Sequence, residues 1–264
     1  MLQVAACCLQ NAFTSAVFGG NPACVVPLTE WLPDKLMLKI AKENAVAETA
    51  FFIDNGATIS LRWFTPEIEM DLCGHATLAT THCLKAILGY DKNEFVFTSL
   101  SGNLIVRAEN EMYTLDFPAR EPVAAVLPAF IKQSLNIQPA EVWQSRDYML
   151  VYNSQADIMN IRINRNNFDE VNIDPGGVIV TAKGNEVDFV SRFFTPQASI
   201  LEDPVTGSAH CSLIPYWAKK MGKNTMTALQ LSERGGKLDC VYKGDRVLIG
   251  GQAKTYFIGS IWTD

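Results

Sequence analysis

Residues 62–75 read R-W-F-T-P-E-I-E-M-D-L-C-G-H, and residues 192–208 read R-F-F-T-P-Q-A-S-I-L-E-D-P-V-T-G-S. Both open on Arg, an aromatic, then Phe-Thr-Pro, and both run through acidic residues to a glycine. The offset is 130 at the arginine and 133 at the glycine, so the second copy carries three extra residues. The likeness continues outward: Gly74 is followed by Gly89 and Gly207 by Gly222, each pair 15 apart. Each interval reads as a helix entered at one glycine and closed by another. Further on, T-S-L-S-G-N-L (98–104) parallels L-S-E-R-G-G-K-L (231–238). Two copies of one unit are too few for a solenoid, and predict two similar domains.

The rest of the chain fits that division. Strand-like runs cover 48–53, 59–64, 95–98, 104–108 and 112–117, then 148–152, 177–182, 187–194 and 246–250. Short turns such as D-N-G-A (54–57), A-E-N-E (108–111) and Y-K-G-D (242–245) suit antiparallel hairpins. Pro33-Asp34 opens a separate helix to about Asn44. The intervals after Gly74 and Gly207 are nearly apolar all round, so those helices must be enclosed. Pro215 is expected to kink the second. The fold class is therefore α+β: two pseudo-symmetric domains, each a curved, barrel-like antiparallel sheet around a central apolar helix. P-A-R-E-P (118–122) marks the linker, giving domains 1–118 and 119–253, with a C-terminal strand, 254–264, able to return to the first.

The 264 residues are 48% hydrophobic and 19% charged, enough apolar material for a substantial core. A net charge of −6 without a basic run argues against nucleic acid and anionic membrane surfaces as partners. No apolar run reaches membrane-spanning length, and the start lacks the basic region of a signal peptide. Seven cysteines without a C-x-x-C pair fit reduced thiols and a cytoplasmic setting.

The duplicated glycines carry the functional reading. A helix start leaves its first N–H groups unpaired and carries a partial positive charge, which suits an anion. Gly74-His75 and Gly207-Ser208 are two such starts, expected to meet at one cleft. E-D-P-V-T-G-S-A-H (202–210) then reads as half of an anion pocket. The plain alternative is helix capping by Asp203, Thr206 or Ser208 with no ligand.

Five ordered motifs carry a family resemblance: F-G-G-N-P-A-C-V-V (18–26), A-E-T-A-F-F (47–52), R-W-F-T-P-E-I-E-M-D-L-C-G-H-A-T-L-A (62–79), S-G-N-L (101–104) and E-D-P-V-T-G-S-A-H (202–210). With R-G-G (234–236) they span nearly the whole chain, which resembles the PhzF-type phenazine-biosynthesis isomerase-like family. The resemblance implies the diaminopimelate-epimerase type of fold, a homodimer, and a proton shift without metal or cofactor on a small carboxylate-bearing substrate. Cyclic acids such as a dihydro-hydroxyanthranilate are among the candidate substrates.

It also implies roles. Glu48 stands at the general acid/base position; on residue physics alone a solvated strand-end carboxylate is the preferred reading. Asp203 carries over as a second essential polar group and His75 as a proton relay or polariser. Gly74, Gly207, Thr206 and Ser208 frame the substrate site, and His210 falls farther along the helix, as support or core. The His75–His82 spacing of seven lacks the i, i+4 pattern of a metal pair, so no metal is expected. Cys73 raises a rival, since two-thiol epimerases of this fold place one cysteine at each helix start. The second copy has Thr206 there, and a hydroxyl cannot replace a thiolate base. A catalytically silent binding member is the other alternative. Asn11, Gly19-Gly20 and Ser199-Ile200-Leu201 depart from the family pattern and leave the substrate open.

Overall fold

The computed structural model describes residues 3–173 and 176–263. The chain forms two units, Met1–Asp116 with Ile249–Asp264, and Phe117–Leu248. In chain order the elements of the first half are β1 (Gln3–Ala12), β2 (Asn21–Leu28), α1 (Asp34–Asn44), β3 (Glu48–Asp54), β4 (Ile59–Phe64), β5 (Glu69–Met70), α2 (Gly74–His82), β6 (Glu94–Ser99), β7 (Gly102–Glu109) and β8 (Met112–Pro118). The second half holds β9 (Val123–Ala124), α3 (Ala129–Ser134), β10 (Glu141–Gln144), β11 (Tyr148–Val151), α4 (Gln155–Asn160), α5 (Arg165–Phe168), β12 (Val178–Lys183), β13 (Phe189–Phe194), β14 (Glu202–Asp203), α6 (Gly207–Met221), β15 (Thr225–Gln230) and β16 (Gly236–Tyr242). β17 (Arg246–Gly251) and β18 (Ala253–Thr263) complete the chain.

The sequence repeat is a topological repeat. In the first unit β1 pairs antiparallel with β2, β2 parallel with β3, β3 antiparallel with β4, β4 parallel with β6, and β6 antiparallel with β7. In the second unit β10, β11, β12, β13, β15 and β16 follow one another with the same sequence of senses. The α+β class holds, but each ladder is mixed rather than antiparallel. The reason is the crossovers: β2 to β3 passes through α1, and β4 to β6 passes through α2. A connection long enough to hold a helix lets the strand return in the same direction. The curved sheet is not closed into a barrel.

The R-x-F-T-P motif has a direct structural cause. Arg62 on β4 grips Glu69 on β5 through two bonds of 2.7 Å. Arg192 on β13 grips Glu202 on β14 the same way, at 2.7 and 2.8 Å. Each fork–fork pair folds a two-residue arm back onto its strand, just ahead of a helix start. The three extra residues of the second copy lie between arginine and glutamate.

Both enclosed helices appear where the glycines place them. All of α2 except His82 is buried. Its threonines are tolerated because Thr77, Thr80 and Thr81 each donate to the carbonyl four residues back, at 2.5, 2.8 and 2.9 Å. The helix widens into a π turn over Cys83–Ile87, a change the sequence does not announce. Gly89 and Gly222 close the two intervals with φ of 71° and 68°. α6 runs unbroken through Pro215. Proline cannot donate to the carbonyl of Cys211, and the Arg120 N–H takes it instead, at 2.9 Å.

The sheets have a helix on each face. In the first unit Cys24, Val26, Phe51 and Phe64 pack with Met37 and Ile40 of α1. The alternate positions, Ala23, Ala50 and Glu48, therefore face the other way, toward α2. In the second unit Trp217 of α6 stacks on Phe189 of β13 and donates to Thr181 of β12 at 3.0 Å. No helix among the described residues is long and apolar enough to cross a membrane.

Candidate active site

Glu48 opens β3, and its register neighbour on β2 is Ala23. The small neighbour leaves the carboxylate room to reach α2. There its Oε2 lies 2.9 Å from Nε2 of His75, with side-chain exposures of 14% and 4%. The two atoms touch without the alignment of a full hydrogen bond, and neither has another partner among the described residues. On the far side of the ring, Nδ1 lies 3.1 Å from the Asn21 amide nitrogen and 3.6 Å from Cys73 Sγ. With the amide donating to Nδ1, the proton of a neutral ring sits on Nε2, facing Glu48. Turning the amide serves the doubly protonated ring equally well.

The electrostatics favour a proton held here. Burial opposes a charge on His75, but the Cys73 sulfur and the Glu48 carboxylate more than offset it, so its pKa lies well above the ordinary histidine range. Burial above all, then the charge of Glu48, pushes the Cys73 thiol up. A thiol held protonated is a poor general base, which weakens the two-thiol rival further.

His82 does not join this group. Its ring nitrogens lie 2.9 Å from the Tyr113 hydroxyl and 3.0 Å from that of Thr255. The potential ligand set that does form among the described residues is Glu48, Cys73 and His75, within 4.8 Å of one another. It joins a strand to a helix start, so no local spacing reveals it.

In the second unit Asp203 ends the β14 arm, opposite Phe193. Thr206 is the residue before α6 and donates from its hydroxyl to Asp203 Oδ2 at 2.5 Å. Gln230, buried at the end of β15, ties the loop together. Its Oε1 accepts from the Thr206 N–H at 2.9 Å, and its Nε2 donates to the Asp203 carbonyl at 2.8 Å and to Thr206 Oγ1 at 3.1 Å. The residues preceding the two helices, Cys73 and Thr206, make no side-chain capping bond, so Thr206 does not cap α6 as the plain alternative allows. Ser208 sits partly exposed in the first turn of α6, while Gly74 and Gly207 are buried. His210 is fully buried, donating from Nδ1 to the Thr206 carbonyl at 2.8 Å.

Asn21 and Gln230 were not singled out by sequence as site residues. Asn21 lies within a quoted motif, N-P-A-C-V-V, but a lone amide gives no spacing signal. Two open hollows, about 560 Å³ beside Lys85 and Tyr113 and about 590 Å³ beside Glu141 and Lys220, lie apart from these groups.

The sequence profile of the phenazine biosynthesis-like proteins matches residues 10–259. The chain belongs to this PhzF family. Two relatives from Pseudomonas aeruginosa, both named uncharacterized isomerases, are 46% and 42% identical over 252 residues, covering 95% of this chain and 96% of each relative. A crystal structure of a PhzF-family protein from Enterococcus faecalis, 42% identical, covers 99% of this chain and 100% of its own with a TM-score of 0.94.

Proposed function

We propose that this PhzF-family chain is an isomerase that moves a proton, and with it a double bond, on a small carboxylate-bearing substrate. Glu48 is the general acid/base. The observation that carries the reading is the 2.9 Å approach of Glu48 to an imidazole that Asn21 orients from behind. The relatives' name, isomerase, supports the same class.

The chemistry is self-contained in protons and electrons. The Glu48 carboxylate takes a proton from carbon, and the electron pair moves along the conjugated system into the substrate's carboxyl group. The uncapped start of α2 presents N–H groups suited to that growing negative charge. The protonated Glu48 then returns its proton to a different carbon, and the double bond rests in a new place. His75 holds and hands over the proton of the carboxyl. A positioned acid/base of this kind contributes about 10²–10⁴-fold in rate.

Asp203, braced by Thr206 and Gln230, is assigned to substrate orientation, with Gly74, Gly207 and Ser208 in the backbone seats. The same reading includes a homodimer, which sedimentation equilibrium checks directly.

The test uses a panel of unsaturated and cyclic carboxylic acids in deuterated water, with wild type and Glu48→Gln. Deuterium is expected to enter carbon with wild type and to fall by at least about a hundredfold in the variant. Equal labelling by both removes Glu48 as the base. A ligand that raises the melting temperature without any carbon exchange favours a silent binding protein instead.

A further inference from the structure

We propose that β18 carries the surface on which two copies of this chain dimerise, about a twofold axis at Gly259. The proposal gives the homodimer of the reading above its interface, and rests on that reading for the second copy.

Residues 255–263 read T-Y-F-I-G-S-I-W-T, a run without a single charge. Tyr256, Phe257, Ile258 and Trp262 from this run, and Phe18 beside them, are each between 43% and 68% exposed. All five belong to the first unit. Phe18 meets Tyr256 edge-on with ring centres 5.6 Å apart, and Tyr256 meets Phe257 at 6.0 Å, so the three rings form one connected patch. The other face of the strand is apolar too. Ile258 stands opposite Cys8 of β1 and Phe257 opposite Leu9, so their side chains leave on opposite sides, with Trp262 on the side of Ile258. A strand that is apolar on both faces is one that a fold encloses on both. β18 is apolar on both and open on both.

Gly259 is the middle residue of the run. Its φ is not positive, and a Cβ added there meets nothing nearer than the Phe257 ring, at 3.7 Å. The protomer itself therefore gives no reason for a glycine at this place. The close approach of a second backbone does. An antiparallel approach about Gly259 sets Tyr256 against Trp262 of the partner subunit, and Phe257 against Ile261 of the partner subunit. Aromatic–aromatic and aromatic–β-branched pairs of this kind stabilise neighbouring strands.

Charge and area select a second copy as the occupant. A twofold axis sets every central charge near its own duplicate, so a surface that binds itself has to be neutral at its middle. The protomer carries a net charge of −6, and none of its charges lies in this run. At about 200 Å² for a whole large side chain, the five exposed residues present roughly 600 Å² on each copy. Stable interfaces begin at about 600 Å² per partner. Thr255 and Ser260 add a polar rim.

Sedimentation equilibrium of the full-length protein reads the dimer, and Ile258→Glu and Trp262→Glu place a charge on the open surface outside the core. Wild type is expected to sediment as a dimer, and each variant to raise the dimer dissociation constant at least about thirtyfold. Gly259→Cys tests the axis without removing any contact. The seven native cysteines are buried, so mild oxidation is expected to join two copies through the new thiol alone. If a charge variant melts early, the cross-link decides. A dimer constant unchanged in both charge variants, or a dimeric Gly259→Cys that forms no cross-link, overturns the proposal and leaves the homodimer standing. A wild type that stays monomeric at every concentration removes both, and leaves the acid/base reading to deuterium exchange.

Discussion

His210 donates from Nδ1 to the carbonyl of Thr206, four residues back, at 2.8 Å. Thr77 holds the matching place in α2 and donates to Cys73 at 2.5 Å. The two helix starts are thus locked by the same bond from different side chains. Burial of His210 lowers its pKa to about 4, opposed only by its bond to Thr206. The folded value lies below the unfolded one, so the unfolded chain binds more protons between them. Stability is therefore full above the ordinary histidine pKa and is lost as pH falls from about 6.5 to about 4, by roughly 3 kcal/mol. Denaturant unfolding across this range should show the slope in wild type and not in His210→Gln. His75 runs the other way: its raised pKa makes its contribution complete below the ordinary value and lost as pH rises through the folded one.

The arm that carries Asp203 depends on Arg192. Its guanidinium bonds Glu202 twice and also reaches the carbonyls of Ile158 and Ile161, both at 3.1 Å. Glu202→Ala leaves a part-buried charge without its carboxylate and should cost about 2–3 kcal/mol. Glu69→Ala should cost less, because Arg62 keeps Asp34 at 2.9 Å. Urea titration of the two variants gives the order, and a larger loss for Glu69→Ala would contradict it.

Gln230 satisfies three groups of the Asp203–Thr206 loop at once. Gln230→Leu keeps the bulk and removes every bond, so a stability loss of about 2–4 kcal/mol is expected. Exchange activity should fall with it. Asp203→Asn is expected to lower kcat/KM with the melting temperature nearly kept, since its backbone pairing stays. An unaffected kcat/KM would remove Asp203 from the reaction.

Much of this was readable before the structure. The repeat was visible because an arginine fork needs a carboxylate at a set place, and that need recurs in both copies. The enclosed helices were visible because neither has a polar face. The parallel steps were hidden: short turns announce hairpins, but nothing local announces where a strand lands after a helical crossover. α4 and α5, six and four residues long, are too short for a periodic signal. β1 and β18 pair from the two ends of the chain, so only a C-terminal return was expected and not its partner. Glu48, His75 and Asp203 were named through motifs, whereas Asn21 and Gln230 act through amides whose role appears only once their partners are in place.

The account turns on one proton held between Glu48 and His75. Heteronuclear NMR of the ¹⁵N-labelled imidazoles, titrated in wild type and Glu48→Gln, reads that proton directly. In wild type His75 should keep its charge well above the ordinary histidine range, and Glu48→Gln should bring its midpoint down by at least about one pH unit. The same midpoint in both proteins would contradict the account.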